Sequence, residues 1–168
     1  MNITEIYKPT PFIGERSCDL KHFLSMLEFD NVDFDPPYQR GDDWTLRQQQ
    51  EFMGHLLSGG DVLPLVFQRV PDMGDAEIVD GKQRATAIVR WLKGEIHATL
   101  FDGRMVEVSE VTAGLGLVEV RIKYINLPFE ERKRFYVRFN SAGTPHTEAQ
   151  LMAALRAQPK SVGAKARR

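Results

Sequence analysis

Apolar residues recur at helical spacing in several stretches and alternate with polar ones in others, with turn residues between them. Leu20, Phe23, Leu24 and Leu27 share one face, and Asp19 stands ready to cap a short helix over 20–27. Thr45 opens a second helix, 46–58, where Gln48 completes a capping box and Gly59-Gly60 ends the run. Phe52, Leu56 and Leu57 form its expected buried stripe, joined by Met53. Runs at 63–70 and 76–79 read as an antiparallel strand pair around the loop 71–75. Ala85, Ile88, Val89 and Leu92 predict a helix over 82–93, stopped by Gly94. Segments 98–101 and 104–108 flank Asp102-Gly103, which predicts a two-residue hairpin. In 117–125, Val118, Val120, Ile122 and Tyr124 alternate with charged residues as a half-buried strand does. Pro128 precedes a helix over 129–140, with Phe129, Arg132, Phe135, Tyr136 and Phe139 on one broad face. Thr147 caps a last helix, 148–157, whose Leu151, Met152 and Leu155 point inward. Helices mixed with hairpins make the class α+β.

The chain has 168 residues, 42% of them apolar and 27% charged, which predicts one domain with a real core. Residues 1–18 read as an N-terminal arm, 19–157 as the domain and 158–168 as a disordered basic tail. A formal net charge of −1 excludes a generic nucleic-acid-binding surface, so such contact would need a local basic patch. Cys18 is the single cysteine, so no internal disulfide forms, which fits a reducing cytoplasm. The N-terminus carries Glu5 and no signal-like apolar run, and no stretch approaches the roughly 20 apolar residues of a membrane span.

The candidate chemistry gathers at Val79-Asp80-Gly81-Lys82-Gln83-Arg84. A strand ends, Gly81 breaks it and a helix begins at once, presenting unpaired N–H groups and about half a positive charge. Lys82 and Arg84 sit in that first turn, where cations cost stability unless an anion receives them, and phosphate suits the place. The plain alternative is an ordinary strand–helix turn with basic surface residues. A second cluster is Tyr38-Gln39-Arg40-Gly41-Asp42-Asp43-Trp44, which follows Pro36-Pro37 and so starts from stiff, extended backbone. Arg40 offers a planar fork for phosphate or carboxylate, or else pairs with Asp42, Asp43 or Asp80. Tyr38 and Trp44 serve equally well as core plugs.

Taken together, Pro37-Tyr38-Gln39-Arg40, Trp44, a Gln-rich helix, Leu63-Pro64 and Asp80-Gly81-Lys82-Gln83-Arg84 resemble the ParB/sulfiredoxin-like superfamily. The pattern is most similar to the N-terminal domain of GmrSD-type modification-dependent restriction systems, whose motif runs Asp-Gly-Gln-Gln-Arg. Phe139-Asn140-Ser141-Ala142-Gly143-Thr144 also looks like that family's late Asn-x-x-Gly segment. The resemblance implies a small domain, with a mixed or antiparallel sheet and packed helices, that binds a nucleoside triphosphate with Mg²⁺. Carried over, Asp80, Gln83 and Arg84 act on the triphosphate. Tyr38, Gln39, Arg40, Gly81, Lys82, Arg84 and Asn140 bind it. Lys82 departs from the family pattern and adds positive charge.

Asp80 then holds Mg²⁺ or merely caps the helix, and Gln83 orients a water or lies idle at the surface. Asn140 reaches base, ribose or metal, or caps the following turn. The expected function is nucleotide binding, with NTP hydrolysis in DNA-related regulation or phage/host defence. Arg132, Lys133, Arg134, Arg138 and the basic tail keep a DNA-binding or nuclease module open, although Glu130 and Glu131 argue for a solvated helix. His22, His55, His97 and His146 are scattered, which tells against a nuclease constellation. A third reading is a non-catalytic interaction or inhibitor protein that keeps the fold. Partners would be the nucleotide, DNA or a DNA-processing protein, and a homodimer by analogy.

Overall fold

Strand pairing organises the molecule, seen here in a computed structural model that describes residues 11–39, 44–69, 75–141 and 148–159. Among the described residues six strands form: β1 Phe12–Asp19, β2 Leu65–Arg69, β3 Ala76–Asp80, β4 Ala98–Thr99, β5 Met105–Val106 and β6 Glu119–Ile125. Five α-helices accompany them there: α1 Leu20–Phe29, α2 Leu46–Leu57, α3 Lys82–Leu92, α4 Phe129–Ser141 and α5 Glu148–Arg156. The main sheet has the order β1-β6-β2-β3. β2 runs antiparallel to β3 and parallel to β6, and β6 runs antiparallel to β1, so the sheet is mixed and the fold α+β.

Alternation along the strands sends successive side chains to opposite faces. Leu65, Phe67, Ile78, Val120 and Ile122 go to one face, where Leu20, Phe23, Met53, Ile88 and Trp91 from α1, α2 and α3 bury them. Val66, Val79 and Ile125 go to the other and meet Tyr38, Tyr136 of α4 and Ala154 of α5. The central strands are therefore covered on both sides, which is why β2 reads as a near-continuous apolar run.

The helix starts follow the local sequence. Asp19 Oδ1 accepts from His22 N at 3.0 Å. Thr45 Oγ1 accepts from Gln48 N at 3.3 Å, while Gln48 Oε1 accepts from Thr45 N at 2.9 Å, which completes the capping box. Thr45→Ala should cost about 1 kcal/mol of stability, measured by urea denaturation, because one first-turn amide loses its acceptor.

Three segments differ from the sequence reading. Of the stretch 1–18 expected as an arm, residues 1–10 lie outside the described residues and residues 12–18 belong to edge strand β1, joined to β6 from Phe12 to Asp19. Backbone hydrogen bonds hold it while its middle residues stay exposed, so it carries no apolar alternation. The second hairpin has a three-residue loop, because Leu100 N donates to Arg104 O and Gly103 N to Leu100 O. In α5, Met152 and Leu155 are exposed and Ala154 is buried, while the side chain of Leu151, also expected inward, lies outside the described residues. The Lys133 ammonium instead holds that helix's end, donating to Leu155 O at 2.9 Å and Ala157 O at 3.0 Å. Among the described residues, no helix is long and apolar enough to cross a membrane.

Candidate functional site

The turn from β3 into α3 is built as the pattern predicts. Gly81 takes φ 88°, a left-handed conformation that favours glycine, and its carbonyl accepts from Ala85 N at 2.9 Å. A Cβ there would also stand 2.5 Å from Leu65 Cδ2. Gly81 offers no side-chain acceptor to the first-turn amides, and no acidic residue lies in that turn. Such a helix start favours an anion.

Both motifs meet at this turn. The Gln39 amide nitrogen donates to Ile78 O at 2.9 Å and to Val79 O at 2.7 Å. Trp44 N donates to Gln83 Oε1 at 3.0 Å, and Trp44 O accepts from Gln49 Nε2 at 3.0 Å. Arg90 in turn donates to Gln49 Oε1 at 2.7 Å. The strand end and helix start are thus fastened to residues on either side of 40–43. Arg40, expected as the second guanidinium of the site, lies outside the described residues, as do Gly41, Asp42 and Asp43.

Tyr38 is fully buried between Phe129 and Tyr136, at 6.0 and 5.5 Å between ring centroids, and its hydroxyl donates to Glu77 Oε1. Burial, then the Glu77 charge, pushes that hydroxyl far above the ordinary phenol value. Tyr38 is therefore a core plug that aligns the motif, and Gln39 fixes the backbone that leads to Arg40.

The cations behave differently from the expectation that they await an anion. Arg84 Nη2 donates to Asp80 Oδ2 at 2.5 Å, and Nη1 donates to Leu63 O and, at 3.2 Å, to Pro64 O. Its side chain is only 13% exposed and that of Asp80 16%. Lys82 Nζ lies 2.5 Å from Asp35 Oδ1. Each first-turn cation therefore has a carboxylate of its own, and neither needs a ligand to be neutralised. Arg84 ties β3, α3 and the start of β2 together. Gln83 spends its carbonyl oxygen on positioning Trp44.

Asp80, the carboxylate expected to hold Mg²⁺, gives one oxygen to Arg84. It also stands near Tyr136, whose hydroxyl is raised first by burial and second by that charge. Among the described residues, no three His, Cys, Asp or Glu side chains gather into a metal cage. Asn140 lies near the end of α4, and its side chain falls outside the described residues. Beside Arg84 is a cavity of about 100 Å³, floored by Phe52, Leu56, Leu65, Ile88 and Val120. It is smaller than the roughly 300 Å³ at which ligand pockets begin.

The basic cluster weighed for DNA is reduced by the fold. Arg132 pairs with Glu77 at 2.8 Å with its side chain 11% exposed, and Lys133 is buried. Arg134 and Arg138 are exposed on α4.

Sequence reasoning missed Asp35, the Leu63 and Pro64 carbonyls, Gln49 and Tyr136 as parts of this neighbourhood. Asp35 stands immediately before Pro36-Pro37, which holds it on stiff backbone, yet nothing local marks Lys82 as its partner 47 residues away.

A family model described as the GmrSD restriction endonuclease, N-terminal domain, matches residues 21–126. No curated protein matches the chain. Among solved structures, the chain is similar to the C-terminally truncated chromosome-partitioning protein ParB from Caulobacter crescentus complexed with CTP-gamma-S. That likeness has 17% identity and a TM-score of 0.46, and covers 79% of this chain and 56% of that one. The chain thus spans little more than half the length of that structure's chain.

Proposed function

Because the chain belongs to the family of the GmrSD restriction endonuclease N-terminal domain, we propose that it binds a nucleoside triphosphate at the start of α3, as the nucleotide-responsive part of a DNA-restriction system. One observation carries the reading: Gln39 and Trp44 bond to Ile78, Val79 and Gln83, so two motifs far apart in sequence are fastened together at the start of α3. In this reading, phosphate oxygens meet the amides that follow Gly81, and Lys82 and Arg40 supply charge. Arg84 acts mainly by holding the turn in shape. Mg²⁺ would arrive on the triphosphate, with Asp80's second carboxylate oxygen facing it.

Hydrolysis belongs to the same proposal as a further step. Asp80 and Arg84 would have to release each other before either touched the phosphates, and Gln83 would have to release Trp44 before placing a water.

The test is a melting screen of the full chain with ATP, GTP, CTP and UTP, with and without Mg²⁺. Ligand at 100 times Kd should stabilise by about 2.7 kcal/mol, which is roughly 5–10 °C in Tm for a chain of this size. A cooperative melt that no nucleotide moves, even at millimolar concentration, would sink the reading and leave an interaction protein that keeps the fold. Inorganic phosphate released from the stabilising nucleotide would report turnover.

A further inference from the structure

We propose that the Asp35 carboxylate competes with phosphate for Lys82, so that this pair sets how strongly the site takes its nucleotide. The inference rests on the nucleotide reading above and adds its regulation. Lys82 is the first residue after Gly81, so its side chain leaves the helix in its first turn. Its ammonium lies 2.5 Å from Asp35 Oδ1, and the pair is lopsided: the Lys82 side chain is 21% exposed and that of Asp35 79%. Asp35 is held in place by its backbone, since its N–H donates to Asp33 Oδ1 at 2.9 Å and Pro36-Pro37 follows it.

The carboxylate therefore puts an anionic oxygen on the cation of a helix start, which is the place a phosphate oxygen would take. An incoming phosphate must displace it. Being mostly in water, Asp35 loses little when released, whereas the Lys82 side chain is only 21% exposed. The consequence is a site kept neutral until a ligand with more charge than one carboxylate arrives, which favours a triphosphate over a single phosphate. Arg84 cannot take this role, because its fork is already committed to Asp80 and two carbonyls.

The experiment is a calorimetric cycle with the full chain, using the nucleotide that gives the largest melting shift and its monophosphate as comparison. Asp35→Asn removes the competitor's charge with little change in shape. Triphosphate affinity should rise about twofold to fivefold, the range of an ion pair at a partly exposed site. Lys82→Gln should weaken triphosphate binding, and Asp35→Asn should add nothing in that background. An Asp35→Asn variant that binds no more tightly, or one that gains as much with Gln at position 82, overturns the competition. Native protein that binds none of the four nucleotides overturns the nucleotide reading itself, which is a different result.

Discussion

Replacing Arg84 with alanine should lower stability by about 3 kcal/mol, because the change leaves a largely buried carboxylate without its cation. Three contacts vanish together: the pair with Asp80 and the bonds to Leu63 O and Pro64 O. Asp80, with its side chain 16% exposed, must then draw in water. The expected drop in Tm is roughly 6–12 °C for a chain of this size. Asp80→Asn should cost less, since an amide oxygen still accepts from the guanidinium, and in the double variant the two losses should fall short of their sum. Chemical denaturation of the four proteins checks this. Additive losses would show that the pair contributes no coupling and that Arg84 is free to serve a ligand. The resemblance read from the sequence placed Arg84 among the groups that bind and act on the triphosphate. The structure makes stability the first readout, so lost nucleotide binding in Arg84→Ala is interpretable only after the fold is shown intact.

Gly54→Ala should be comparably damaging, by about 3 kcal/mol or slightly more, although alanine is the better helix former. Gly54 lies inside α2, where β4 crosses it. A Cβ would stand 1.8 Å from Thr99 O and 2.5 Å from Thr99 C. Both are backbone atoms, so no side chain can turn aside, and the helix and the hairpin must separate. Trp91 Nε1 donates to Val106 O at 3.1 Å, which holds the hairpin from the α3 side as well. Gly114→Ala is the control, because nothing lies within 4 Å of its new methyl; its effect should stay within about 0.5 kcal/mol. Equal melting curves for the two variants would mean that the approach of α2 to β4 relaxes freely.

Much of the scaffold was legible because the signals are local. Asp19 and the Thr45–Gln48 box mark helix starts that the structure shows, and Ala85, Ile88 and their neighbours mark the buried stripe of α3. Residue type alone was a poor guide where burial decides the outcome. Lys133 looked like a phosphate contact and is instead a buried ammonium capping the carbonyl end of α5. Phe12–Asp19 looked like an arm, since an edge strand needs only its backbone.

Family membership was written in the chain, and so was the break between strand and helix at Gly81, which is a local backbone preference. Charge partnership was not. Whether Lys82 and Arg84 wait for a ligand or already hold a carboxylate depends on which oxygen the fold carries to within a few ångströms, and Coulomb attraction and desolvation act over that distance whatever the separation along the chain. Tertiary structure brought Asp35 and the Leu63 and Pro64 carbonyls to them, and so turned one expected phosphate clamp into a structural tie and the other into one half of an ion pair.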